Sequence, residues 1–197
     1  MADFTVDVIE AYPQFDLELF MSTCQETRIG GDIMNRLSDA WDTWTPCAQA
    51  RKITAGEQSY LLVWLGEPVE EAVDTAWETT PSEAFMFNAL AQVMCMGMVH
   101  NLLPEVEEAG CAAAPAITPA LEAALTQAGV APLRPGEPGL ERRYAVLTFL
   151  PFKGACEACH LRPQCPKGSG QAQGCSGDKV SSVTLPGFDR IEPLKKQ

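Results

Sequence analysis

The chain has 197 residues, 46% of them apolar and 20% charged, a length and balance that suit a packed domain with at most an appended subdomain and exclude a disordered or fibrous protein. Its net charge of −12 is uneven, with 19 acidic and 4 basic side chains in residues 1–110 against 7 and 10 in residues 111–197. Such acidity repels phosphate backbones, so nucleic-acid binding is not expected; beyond plain solubility, the charge favours a basic partner or docking of one half on the other.

The N-terminus lacks a basic, apolar leader, and a cytoplasmic protein is expected, in which clustered cysteines serve as ligands or redox groups rather than disulfides. Pro13, Phe15, Leu19, Phe20 and Cys24 fit one face of a helix stopped around Gly30 and Gly31. Ile33, Leu37, Ala40, Trp41 and Trp44 fit a second, with Pro46 just beyond its end. Residues 58–65 are a short apolar run whose type periodicity does not settle. Pro68 opens a third helix through Trp77, with Glu70 and Glu71 near its positive end. Thr80-Pro81-Ser82-Glu83 has the pattern of a capping box and predicts a helix over 81–102 that is apolar on nearly all sides. Asn88, Gln92, Gly97, His100 and Asn101 interrupt it, so it reads as the central helix of a bundle and not as a membrane span. Thr118-Pro119 caps one more helix, ending at Gly129.

Prolines and glycines at 131–139 then mark a connector, residues 144–150 read as a strand, and residues 180–185 as a weaker one. The expected fold is mainly α (α+β). An acidic, bundle-like helical domain fills 1–130, and a small two-stranded, cysteine-rich metal-binding subdomain fills 140–197, the two able to pack as one.

Chemistry concentrates in the second part. Cys156, Cys159, Cys165 and Cys175 are spaced C-x2-C-x5-C-x9-C, and four soft thiolates so close in sequence suit an iron–sulfur cluster or zinc. Gly168, Gly170, Gly174 and Gly177 let the backbone turn tightly and approach inorganic sulfide. Zinc sites commonly use two C-x2-C knuckles and this chain has one, so a four-iron (4Fe-4S) cluster is preferred and zinc is the alternative. Cys175 is taken as fourth ligand because closing a short loop costs less entropy than recruiting a distant cysteine. Lys153, Arg162 and Lys167 supply cations that would stabilise an anionic cluster, and His160 has a donor for a sulfur. Cys156-Glu-Ala-Cys159-His160 also matches the haem-attachment pattern C-x-x-C-H, which leaves Cys165 and Cys175 unexplained.

Cys165-Pro166 repeats the Cys-Pro step at the end of ferredoxin-type cluster motifs, and the run Cys156, Cys159, Cys165 resembles the iron–sulfur motif of AddB-type nucleases and their CRISPR-associated relatives, in which a further cysteine completes a four-iron cluster. The resemblance ends at that run. Those enzymes need an Asp followed by Glu-x-Lys, and no Glu-x-Lys occurs here, so the resemblance implies a cluster and not nuclease activity.

Cys24, Cys47, Cys95 and Cys111 have no ligand spacing and read as packing residues. Met94, Cys95, Met96, Met98 and His100 cannot all face one ligand from a helix; the run reads as core packing, with His100 near the helix end placed to meet the terminal carbonyls. No phosphate loop, nucleophile elbow or zinc-protease motif is present, and no catalytic residue is named. The expected function is electron transfer or redox sensing with a larger protein partner docked on the acidic helical face. A metal-stapled interaction or assembly protein with no redox role is the alternative.

Overall fold

The computed structural model describes residues 3–26 and 28–165. Its architecture turns on the apolar run at 58–65, which is a strand, β3 (Gln58–Leu65). Leu61, Val63 and Leu65 enter one core while Tyr60, Leu62 and Trp64 enter another on the opposite face. A strand buried on both faces has no polar side, so its period of two is invisible in the sequence.

Around β3 lies a four-stranded antiparallel sheet in the order β1 (Phe4–Val8), β2 (Ala48–Ala55), β3, β4 (Ala145–Phe149). Ala50 pairs with Val63 and Ile53 with Tyr60, which assigns β2 side chains to the two cores in turn. A tight turn with Gly56 at φ +62° joins β2 to β3. Helices α1 (Leu17–Cys24) and α2 (Gly31–Trp44) form between β1 and β2. Four more, α3 (Glu67–Thr79), α4 (Pro81–Leu102), α5 (Pro104–Ala109) and α6 (Pro119–Ala128), form between β3 and β4.

The sheet is the middle layer of three. α4 packs on the Leu61 face with α1, α2, α3 and α5 around it, and α6 covers the Leu62 face against β1 and β2. α4 is long and apolar enough to cross a membrane by length and composition, yet Leu90, Val93, Met94, Met98 and Val99 are packed in the core beside the sheet. Gly97 sets how closely the preceding chain approaches it. A Cβ there would stand 2.3 Å from the Gln14 carbonyl oxygen.

This corrects the expected architecture. The first two thirds are not a helical bundle, because β1, β2 and β3 lie within them. The strand foreseen at 144–150 does not belong to a separate two-stranded element; as β4 it pairs Leu147 with Leu62 and Val146 with Val63 in the main sheet. β2 escaped detection because Arg51 and Lys52 break its alternation, and β1 because it is short and largely exposed. Residues 180–185 lie outside the described residues.

The helix signals fared better. α4 has the bounds its prolines foretold, and α6 begins with Thr118 Oγ1 accepting from the Leu121 amide at 3.2 Å and ends at Gly129 with φ +82°. The capping box at Thr80 does not form. Its side chain makes no cap hydrogen bond, and the Glu83 carboxylate instead meets Arg36 of α2 at 2.5 Å. Gly31, expected to stop α1, opens α2, while α1 ends at Gln25 in the left-handed region.

Candidate metal centre

The cysteine loop leaves the domain from the end of β4, which is anchored on three sides. Before the strand, Arg142 faces Glu67 and Glu70 of α3 at 3.4 and 3.5 Å, and Arg143 pairs with Asp74 at 2.6 Å. The Arg143 guanidinium holds the Asp74 carboxyl below its usual range. At the strand's start the Tyr144 carbonyl accepts both the Leu65 amide at 2.9 Å and the Cys95 thiol at 3.2 Å, while the phenol donates to Asn88 at 2.9 Å. Thr148, the buried polar residue of β4, donates to the Ala113 carbonyl at 3.0 Å.

Beyond β4 the Leu150 amide still bonds the Ser59 carbonyl at 3.0 Å, and Leu150 and Phe152 pack on the main core. The chain then turns outward through Gly154, at φ +83°. It returns once to the domain, where the His160 amide donates to the Ala114 carbonyl at 2.8 Å. A single turn of 3-10 helix follows at Arg162–Gln164, with the Arg162 amide donating to the Cys159 carbonyl at 3.2 Å. Cys156, Cys159 and Cys165 lie along this path as free, half-buried thiols.

The donor set is chemically right for a soft metal, three thiols on a short loop outside the core. The positions are not those of a formed site. Among the described residues no three Cys, His, Asp or Glu side chains come together so as to hold a metal ion. Cys175, Lys167 and the four loop glycines lie outside the described residues. A centre would therefore have to draw the thiols together as it bound, as metal-coupled sites commonly do.

No protein-family model, curated protein or solved structure matches the chain.

The other residues singled out in the sequence take varied places. Lys153 is held by the Gln58 side chain and stacks 5.6 Å from the Phe149 ring, so its charge is committed to the sheet edge. Arg162 and His160 are exposed on the loop, the latter at a hollow shared with Gly136, Pro138 and Gln164. Of the scattered cysteines Cys95 is buried, and burial pushes its thiol from the ordinary 9.0 to about 12. Cys24, Cys47 and Cys111 are half-buried.

Two features were not foreseen. The two arginines before β4 tie it to α3, and their only sequence signal is the adjacent pair Arg142-Arg143 facing an acid-rich helix far away in the chain. The second is an apolar groove beside α2, lined by Phe15, Met34, Leu37, Ser38, Trp41 and Leu90. Of its α2 members, Leu37 and Trp41 belong to the helically spaced set at 33–44, while Met34 and Ser38 carry no signal in the sequence.

Proposed function

We propose that Cys156, Cys159, Cys165 and Cys175 bind one metal centre, a four-iron cluster, serving electron transfer or redox sensing with a protein partner. The observation that carries this reading is the C-x2-C-x5-C run placed on an exposed loop, its three thiols free and uncommitted to the core. Cys95, by contrast, is buried and hydrogen-bonded, and the half-buried Cys24 and Cys47 pack against the main core, to which none of the three loop thiols belongs. A centre near the surface also suits electron exchange with a docked protein. The test is anaerobic purification followed by iron, zinc and acid-labile sulfide analysis. A brown protein with matched iron and sulfide supports the cluster, and reversible reduction supports the redox role.

The second reading, a zinc or cluster staple without redox work, is favoured by the loop's slight attachment. Between Gly154 and Cys165 one backbone hydrogen bond, from His160 to Ala114, ties it to the domain. A colourless protein with stoichiometric zinc, or a cluster that dithionite does not reduce, would decide for the staple.

A further inference from the structure

The sheet has two outer edges, and they differ. On β1 the Ile9 amide donates to Ala50 and the Asp3 carbonyl accepts from Gly56, so Phe4, Val6 and Val8 turn their backbone groups away from β2. Val8 is 75% exposed and Asp7 stands beside it, so water satisfies that edge and charge protects it. On β4 the Tyr144 carbonyl accepts from Leu65 and the Leu150 amide donates to Ser59. Val146 and Thr148 therefore turn their backbone groups to β3, while Ala145, Leu147 and Phe149 turn theirs outward. None of these outward groups has a hydrogen-bond partner among the described residues. Leu147 is only 8% exposed, and buried backbone amides and carbonyls are paired in native proteins.

Along the β4 edge lies a hollow of about 390 Å³, with Ala145 and Leu147 on one side and Ala112, Ala114 and Leu133 facing them. The segment carrying Ala112 and Ala114 meets β4 through the Thr148 side chain and not through backbone pairing. Leu133 is 65% exposed there. Arg142 and Arg143 also reach the hollow, but their charges are taken by carboxylates of α3. Such a slot fits an uncharged extended segment, its backbone on the open edge and apolar side chains at alternate positions.

The chain has such a segment within reach. The described residues end at Cys165, and His160, Leu161 and Gln164 just before it share a second hollow with Pro138 and Gly139, which also line the first. Residues 180–185, Val-Ser-Ser-Val-Thr-Leu, carry no charge, place Val183 and Leu185 two apart, and stop at Pro186. Residues 166–179 can span about 50 Å when extended, and residues 176–179 alone about 15 Å from a centre that includes Cys175.

We propose that residues 180–185 of this chain dock on the outward edge of β4 as a fifth strand of the main sheet. The inference goes beyond the metal reading and does not rest on it. A strand docked there would also return Cys175 to the neighbourhood of Cys156, Cys159 and Cys165.

The test is amide hydrogen exchange, read by NMR on the full chain. The Leu147 and Phe149 amides should exchange at least about a hundredfold more slowly than those of Val6 and Val8 on the exposed edge, and alternate amides within 180–185 should be protected with them. Proline is then placed at Ser182 or at Val183. Neighbouring residues of a strand turn their amides to opposite sides, so one of Ser182→Pro and Val183→Pro removes a bond to β4 whatever the register. That variant should return Leu147 to fast exchange while β3 and α4 keep their protection, which shows that the domain remains folded. Protection of Leu147 that survives both prolines would overturn the proposal, and so would exchange on β4 as fast as on β1 in the parent. Protection that grows with protein concentration would also overturn it, since the strand would then come from a second copy.

Discussion

Cys95 shows how differently two cysteines of one chain are used. Buried and donating to the Tyr144 carbonyl, its thiol stays neutral up to about 12. In the unfolded chain it would ionise near its ordinary 9.0. Its folded value is raised, so the stability it gives is intact below that pH and falls as pH climbs from there toward 12. At neutral pH iodoacetamide should label Cys156, Cys159 and Cys165 of metal-free protein within minutes and leave Cys95 unmodified until denaturant is added, as peptide mass mapping would show. The loop cysteines carry the opposite expectation. Serine at Cys156, Cys159 or Cys165 should abolish metal binding, and full iron or zinc content in any one of the three would refute the assignment. Cys175→Ser is the weaker test, since another cysteine or water can substitute. Gly97 is a third residue with a sharp role: alanine there would press its Cβ on the Gln14 backbone and should destabilise the protein by about 3 kcal/mol in urea titration.

At the scale of elements, β4 is held in place by charge as well as by pairing. Arg142 bridges Glu67 and Glu70, and its side chain is only 27% exposed, so Arg142→Ala should cost about 1 kcal/mol and β4 should be the strand that loosens. The neighbouring pair of Arg143 and Asp74 is exposed and should respond to salt. Asp74 has a folded value below its ordinary 3.8, so its contribution is present above that pH and is lost as pH falls through the lowered value. An Arg143→Ala protein should therefore lose most in Tm, relative to the parent, at neutral pH and low salt, and the difference should vanish in acid or in high salt.

For the molecule as a whole, the sheet divides what the proposed centre could reach from what it could not. β4 pairs with β3 over five residue pairs and its carbonyl at Tyr144 joins the main core, so it belongs to the cooperative domain. The loop beyond Phe152 has few apolar contacts and one backbone tie to the rest, too little to offset its ordering entropy without ligands closing it. Removing the metal should then raise hydrogen exchange over residues 154–165 while β4, β3 and α4 keep their protection. Equal exchange of the loop with and without metal would mean the centre does not organise it. Global unfolding would mean that loop and sheet form one unit.

Local chemistry determined whatever one stretch of chain decides alone. The limits of α4 and α6 follow from Pro81, Pro104, Thr118-Pro119 and Gly129, because a proline or a left-handed glycine acts on its own few neighbours. The cysteine run is visible for the same reason, as spacing within one loop, although that spacing alone does not bring the described thiols together. Tertiary structure alone decided the sheet. Whether residues 58–65 are strand or helix depends on β2 and β4 lying beside them and on two helical layers covering both faces, and none of that is encoded locally. The same holds for Glu83, whose carboxylate left the cap predicted for it because Arg36 of another helix lay within reach. The groove at Phe15 and Trp41 is of this kind too, since which apolar side chains of a periodic helix are covered and which line a groove depends on the elements packed around them.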